Sequence, residues 1–352
     1  MFLLREVLPG DLDELEQVAI HLDTVNLPND RTVLEKLIEH SRRSFSAQLD
    51  PFKRLYLFVL CDQDKKRLIG TSMIHAQHGT RRAPHIFFNV MTDERYSETL
   101  DKHFIHRVLR IGYNYNGPTE IGGLVVLPEY RRHPEGLGKL LSFGRFLFIG
   151  LHRACFRDEV LSELLPPLET DGSSVVWESI GRHFIGMSYQ EADRISQTNK
   201  EFIRSLFPAD SIYLSLLPKR VQEMIGQVGT DTKSVETMLR QIGFNYAERI
   251  DPFDGGPHFV AKTDEISLVH ETARLKIQRI LPTIEGKSRA LVAIERPTAP
   301  HFSVVSTRFV VDENGLGLEE ATVKALGISV GDEVGMVALP LPKKERGRGK
   351  AA

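Results

Sequence analysis

The sequence predicts an α/β protein of the α+β kind, with a mixed sheet flanked by helices, a helical insertion and a small β-rich C-terminal domain. Three observations predict it. The chain opens on a strand pattern, two helix patterns and an antiparallel meander. A buried strand, a glycine-bearing loop, a long apolar helix and a further strand follow. Beyond Trp177 the pattern is mostly helical to about Gly226, and from about Leu281 short strands recur with turn signals between them.

In chain order, residues 2–7 read as a short strand broken by Pro9-Gly10-Asp11. Asp11 is placed to cap a helix through Leu22 with Leu12, Leu15, Val18 and Ala19 on one face. After the loop Asn26-Leu27-Pro28-Asn29-Asp30, Asp30 caps a second helix over 31–48. Residues 55–60 are strongly β-prone, 62–66 form a polar turn, 68–74 return, and a third strand covers 86–91. Residues 119–127 read as a buried strand, because Leu124-Val125-Val126-Leu127 is apolar without alternation. A long apolar helix over 139–156 and a strand over 160–165 come next. Residues 234–241 form a helix stopped by Gly243, and strands flank the loop 251–257. This gives a first domain over 1–270 with its insertion at about 175–230, a β-rich domain over 271–342, and a disordered basic tail over 343–352.

The 352 residues suit about two domains, and 41% hydrophobic with 26% charged residues suits an ordinary globular core. A net charge of -2 excludes whole-molecule attraction to nucleic acid or an anionic membrane, leaving anionic substrates to a local cluster of donors. Cys61 and Cys155 offer no disulfide framework and no Cys-x-x-Cys zinc pattern. Charge arrives too early in the chain for a signal peptide, and no run of 18 apolar residues exists. The expectation is a cytoplasmic protein without a metal or a permanently bound cofactor. His103 and His106 have helical i,i+3 spacing, but no third ligand accompanies them.

A buried strand, a glycine loop and a helix start together make a phosphate-binding arrangement. The unpaired N–H groups at the helix start and the helix dipole face the anion. The loop here is Arg131-Arg132-His133-Pro134-Glu135-Gly136-Leu137-Gly138-Lys139. Glycines 136 and 138 keep the approach clear of a Cβ, and Arg131, Arg132 and Lys139 add positive charge. Taken alone, the loop is equally consistent with a tight turn with a basic rim. The order of elements around it is that of the GNAT acyltransferase fold, which this region resembles. The GNAT loop reads [Arg/Gln]-x-x-Gly-x-[Gly/Ala]; His133 stands three before Gly136, with the arginines one and two positions earlier, as a short insertion would leave them.

A closer resemblance, to about Leu341, is to the arginine N-succinyltransferase family. It is carried by Asn26-Leu27-Pro28, Phe58-Val59-Leu60, Glu120 with Leu124, Gly136-Leu137-Gly138, Ser142-Phe143-Gly144-Arg145-Phe146-Leu147-Phe148, Trp177-Glu178-Ser179-Ile180-Gly181, Ile225-Gly226-Gln227-Val228 and Ile250-Asp251-Pro252-Phe253-Asp254-Gly255-Gly256-Pro257. The resemblance implies transfer of a succinyl group from succinyl-CoA, as co-substrate, to the α-amino group of L-arginine in arginine catabolism. It implies that Leu124 contacts the acyl-CoA, and by the GNAT analogy that the strand Leu124 to Val126, including Val125, presents backbone N–H groups to the thioester. It also gives Asp254, Gly255 and Gly256 a place in the substrate pocket. The apolar helical stretch and the β appendage point to a homo- or hetero-oligomer.

An activated thioester needs a positioned amine, a base and a stabilised oxyanion. Glu120, at the start of the buried strand, is the first candidate base; Glu163, on the following strand, is the second, shared between base and amine contact. The family pattern departs at three polar positions. Leu239 stands where many GNAT enzymes carry Tyr, Gly229 where the family has His after Gly-Gln-Val, and Leu165 where it has Arg. His183, His258 and Tyr189 are the substitutes for a proton donor. Two further readings stay open: an acyltransferase for ornithine or another amine, and a non-catalytic acyl-CoA-binding subunit of a heteromer.

Overall fold

The computed structural model describes residues 1–21, 27–81, 83–196 and 199–339. The expected tail over 343–352, and the ends of the first predicted helix and loop at Leu22 and Asn26, lie outside the described residues. The first half of the chain runs β1 (Phe2–Glu6), α1 (Leu12–Ala19), α2 (Arg31–Phe45), β2 (Leu55–Asp62), β3 (Arg67–His75), β4 (His85–Ser97), β5 (Lys102–Asn114), β6 (Thr119–Val126), α3 (Leu137–Leu151) and β7 (Glu159–Glu163). Then come α4 (Val175–Ser179), α5 (Gly181–Ile185), α6 (Tyr189–Ser196), α7 (Glu201–Leu206), β8 (Ile212–Tyr213), α8 (Lys219–Met224), α9 (Lys233–Gln241), β9 (Asn245–Ile250), β10 (Pro257–Lys262) and α10 (Ser267–His270). The chain closes with β11 (Ala273–Leu281), β12 (Arg289–Glu295), β13 (Phe302–Asp312), β14 (Gly315–Glu319), α11 (Glu320–Leu326) and β15 (Glu333–Leu339).

Helix α2 forms as its sequence predicts. The Asp30 carboxylate accepts from the Val33 N–H at 3.0 Å, and Leu34 and Ile38 share the buried face. Ser41 and Ser44 then accept the Leu57 and Leu55 N–H groups, each at 3.0 Å, which ties the helix to β2. Asp11 does not cap α1. Its carboxylate accepts from Leu8 N–H at 2.7 Å and pairs with Arg5 at 2.6 Å, so it closes the turn before the helix instead. Helix α3 starts at Leu137 and ends at Leu151, earlier than the apolar pattern suggests, because residues 153–155 tighten into a 3-10 turn. His103 and His106 lie on β5, where residues three apart point to opposite faces, so they are not the helical pair their spacing suggests.

The strands among the described residues order as β12-β15-β11-β14-β13-β1-β2-β3-β6-β7-β10-β9-β4-β5-β8. Strand β1 is shared: Leu4 pairs with Leu60 of β2 on one side and with Val304 of β13 on the other. One buried cluster joins β1–β3, β6, β7 and α1–α3; a second lies between the helices over 175–225 and β4, β5 and β9; a third fills the C-terminal strands. In the second, Trp177 stacks on Phe253 with ring centroids 5.1 Å apart.

Candidate active site

Strand β6 runs antiparallel to β3 from His75↔Glu120 to Gly70↔Val126. On its other side it pairs with β7, in parallel, only at Thr119↔Val160 and Glu120↔Leu161. Beyond Glu120 the two strands separate, and β7 continues against β10, with Glu163 opposite His258. Leu124 and Val126 are partly buried while Val125 is buried, so the edge strand alternates past the fork. The Gly122 carbonyl accepts from Arg145 Nη1 of α3 at 3.3 Å. The two predicted carboxylates thus lie on the two arms of one opening, Glu120 at the fork and Glu163 along β7.

The far end of β6 leads into the predicted phosphate loop. Gly136 is left-handed, with φ +66° and ψ 47°, a conformation that costs a side-chain-bearing residue about 1–2 kcal/mol. It accepts the N–H groups of Lys139 and Leu140 at 2.8 and 3.1 Å, which closes the first turn of α3. The N–H groups of Leu137 and Gly138 have no intrahelical acceptor by position. A Cβ on Gly138 meets nothing within 4 Å, so open space lies in front of it. Arg131, Arg132 and Lys139 are exposed around this start, with Arg131 Nε donating to the Val126 carbonyl at 3.1 Å.

The polar centre at the fork is richer than the two carboxylates predicted. Glu120 is 3% exposed and meets His78 Nδ1 at 2.5 Å. Burial works to raise its pKa, but the charge and hydrogen bond of His78 outweigh this and hold the carboxyl at about 2. Burial penalises the His78 imidazolium too, yet the Glu120 charge and hydrogen bond overcome it, so His78 titrates above its ordinary value. His78 is locked in place: its N–H donates to the Pro118 carbonyl at 2.7 Å, and a Cβ on Gly117 would lie 1.8 Å from its own carbonyl oxygen.

Glu163 lies 3.2 Å from His85 Nε2 and 3.5 Å from His258 Nε2. Both rings are buried, and they stack with centroids 5.2 Å apart. Burial keeps His258 down at about 4 and lowers His85, against the pull of Glu163 on each. Burial acts to raise Glu163, and the surrounding histidines reverse it, holding the carboxyl well below its ordinary value. Asp251 completes a triangle with Glu163 and His258. Its pKa is pushed up to about 7 by burial and then by the Glu163 charge, and that of Asp254 rises well above the carboxylate range through burial and Asp251.

The turn after β9 is built by its own carboxylates. Asp251 accepts the N–H groups of Phe253 and Asp254 at 2.7 and 3.1 Å, Asp254 accepts that of Gly256 at 2.7 Å, and the Gly255 carbonyl accepts the Gly226 N–H at 3.1 Å. Asp254, Gly255 and Gly256 therefore sit next to the cluster through Asp251. Tyr189 is held protonated by burial and by Asp254 nearby, whereas His183 is exposed on α5. Leu239 is buried in α9. Gly229 donates its N–H to the Leu165 carbonyl at 2.9 Å, so two of the family departures touch each other. A Cβ on Gly229 would lie 2.9 Å from the Pro166 carbonyl oxygen and 3.0 Å from that of Leu165.

Sequence reasoning missed His78, His85 and Asp251. The only local signal was the run of histidines at 75, 78 and 85, since the partners lie on strands 42 to 173 residues further on.

Fold and site together define a mixed α+β acyltransferase of the GNAT class: a parting strand pair, a glycine loop at a helix start, and a carboxylate–imidazole pair at the fork. The family model described as "Arginine N-succinyltransferase beta subunit" matches residues 2–268. The arginine N-succinyltransferase of Yersinia pestis (strain Pestoides F) is 30% identical, with 98% of this chain and 100% of that protein covered. That of Escherichia coli O6:K15:H31 (strain 536 / UPEC) is also 30% identical, over 98% of this chain and 99% of its own. The solved structure of arginine/ornithine succinyltransferase subunit AI from Pseudomonas aeruginosa superposes with a TM-score of 0.83 at 27% identity, covering 96% of this chain and 98% of that one. The chain belongs to the arginine N-succinyltransferase family. No described helix is long and apolar enough to cross a membrane.

Proposed function

We propose that the chain transfers the succinyl group of succinyl-CoA to the α-amino group of L-arginine. The observation that carries this reading is the buried Glu120–His78 pair at the point where β6 and β7 part. The diphosphate of the acyl-CoA lies against the Leu137 and Gly138 N–H groups, with Arg131, Arg132 and Lys139 around it and Gly136 shaping the turn. The pantetheine follows the free edge of β6 along Leu124, Val125 and Val126. His78 takes the ammonium proton, and Glu120 orients the ring and stabilises its charge, so Glu120 acts as base through His78. The freed amine nitrogen attacks the thioester carbonyl and gives up its surplus proton to solvent, the C–S bond breaks, and the CoA thiolate leaves and takes the proton held by His78. A thiolate is a stable enough leaving group for this to proceed without a separate acid.

Glu163, Asp251 and Asp254 face the other end of the amine, with the Gly255–Gly256 turn behind them. Three carboxyl groups around neutral histidines suit a substrate whose side chain is also a cation. A second amine, ornithine, is favoured by one observation: Gly229 and Leu165, which touch, stand where the family pattern carries His and Arg. A cytoplasmic site of action and assembly beyond a monomer belong to the same reading. Free Cys61 and Cys155 support the first; the second is supported by the β4–β5 hairpin, which exposes Met91, Tyr96, Leu100, Phe104 and Ile105.

Thiol release from a panel of acyl-CoAs and amines tests the proposal. Release that needs both succinyl-CoA and arginine supports it, release with ornithine alone supports the second amine, and binding of acyl-CoA without turnover by any amine overturns the catalytic reading.

A further inference from the structure

Two triangles of ligand-bearing side chains share Glu163: His78, His85 and Glu163 on one side, and Glu163, Asp251 and His258 on the other. In each, one donor atom per residue lies within 4.8 Å of the others. The first triangle carries the features of a metal site. His85 Nε2 and Glu163 Oε1 are 3.2 Å apart, close to the separation of roughly 3.3 Å between two ligands of one tetrahedral ion with bonds of about 2.0–2.1 Å. His85 Nε2 meets Glu163 as an ion pair whose angle falls short of hydrogen-bond geometry, and the side chain is buried. Close approach without a donor angle is what atoms aimed at a common third point produce. A buried nitrogen in a poorly aligned contact also carries a cost that an ion between the two atoms would remove.

The third ligand is prepared from behind. His78 Nδ1 meets the buried Glu120 carboxylate at 2.5 Å, which fixes the tautomer and the ring orientation and leaves the other nitrogen as a lone pair. A carboxylate behind a ligating histidine recurs at zinc sites for this reason. His258 Nε2, 3.5 Å from the same Glu163 oxygen and likewise without a hydrogen-bond partner, extends the donor set. Two imidazoles and one carboxylate select zinc or another first-row transition metal over magnesium or calcium, which prefer all-oxygen shells. Glu163 and His78 are part-exposed, 30% and 21%, so the triangle opens to the cleft.

We propose that His78, His85 and Glu163 bind a divalent transition metal, zinc by preference, and that the bound ion inhibits the enzyme by occupying the nitrogen the amine's proton needs. The inhibitory half rests on the active-site reading above; the metal site does not.

The full chain, stripped with a chelator and dialysed against zinc chloride, is assayed for metal by mass spectrometry. The expected result is one zinc per chain, an affinity about 10–100-fold weaker in Glu120→Gln, and a loss at least as large in His85→Ala. His103→Ala, on the outer part of β5, leaves binding unchanged. No retained zinc, or retention by both site variants equal to that of the unmutated chain, overturns the site. Cobalt loaded into the unmutated chain guards against misfolded variants: the intense visible bands of a tetrahedral ion support the site, and a weak octahedral spectrum overturns it. Zinc inhibition is expected to be competitive with the amine and reversed by chelator. Zinc that binds at the triangle without slowing turnover overturns the inhibitory half and the placement of His78 in the chemistry. Absent zinc binding, with Glu120→Gln still lowering turnover, overturns the metal site and leaves the active-site reading standing.

Discussion

At the residue scale, the division of work proposed for Glu120 and His78 follows from where each sits. A carboxyl held at about 2 is a weak proton acceptor near neutral pH, while the imidazole it contacts titrates above its ordinary value and is far better matched to an amine proton. Glu120→Gln keeps the shape and removes the charge, so turnover should fall at least about tenfold with little change in acyl-CoA binding. The limb of the pH–rate profile that reports the base should also move to lower pH, because His78 loses the charge that raises it. An unshifted limb with unchanged turnover would remove Glu120 from the mechanism. Asp251 offers a second check, through stability. Its folded pKa of about 7 lies above the unfolded value, so its contribution is fully present below about pH 4 and is lost as pH rises through 7. A cationic substrate favours the ionised form and reverses the trend. The rise in melting temperature given by arginine should therefore be larger at pH 8 than at pH 6, and Asp251→Asn should flatten that difference. A rise of equal size at both pH values would argue against Asp251 facing the cation.

At the scale of elements, the start of α3 separates folding from binding. Gly136 needs its left-handed backbone, so a substitution there mixes strain with any effect on ligand. Gly138 has ordinary helical geometry and open space where a Cβ would stand. Gly138→Leu should leave the melting temperature within about a degree or two, since surface substitutions of this kind cost little. It should still weaken acyl-CoA at least about tenfold in a titration, because the side chain fills the space where the diphosphate is proposed to lie. Unaltered affinity in a folded variant would move the diphosphate elsewhere. This element was legible in the sequence, as were β2, β3, α2 and β6, because each carries a local signal: a capping aspartate, an unbroken apolar run, a glycine loop. The outer half of β4 and the whole of β5 were not, since the hairpin beyond Val90 and before Val108 is largely exposed and no buried face imposes alternation on its residues. The histidine cluster was illegible for a different reason. His78, His85 and His258 look like scattered polar residues until β3, β4, β7 and β10 bring them together, and only that pairing turns three strand ends into one site.

At the scale of the whole molecule, β1 decides whether the chain behaves as one unit or two. The sequence suggests a boundary near residue 270, and the C-terminal strands do have their own buried cluster around Ile277, Val292 and Leu318. Yet β1, the first strand of the chain, is hydrogen-bonded to β2 on one edge and to β13 on the other. Leu4 is fully buried there, within the cluster that also includes Phe302 and Val304 of β13. Removing its side chain takes apolar contact from both sides at once. Leu4→Ala should cost about 2–5 kcal/mol, in the range for a large-to-small change in a packed core. If β1 couples the two regions, the variant unfolds in a single transition at lower temperature, with near-ultraviolet signals from the Trp177 region and exchange protection in β12 lost together. Two separated transitions, with the strands after 273 keeping their protection while the rest melts, would show that the C-terminal region stands on its own core. The active site gives the coupling a consequence, because α3 packs on β1, β12 and β15 as well as on β3 and β6. Loosening β1 should then weaken acyl-CoA binding at the start of α3 below the melting temperature, though no C-terminal residue takes part in the proposed chemistry.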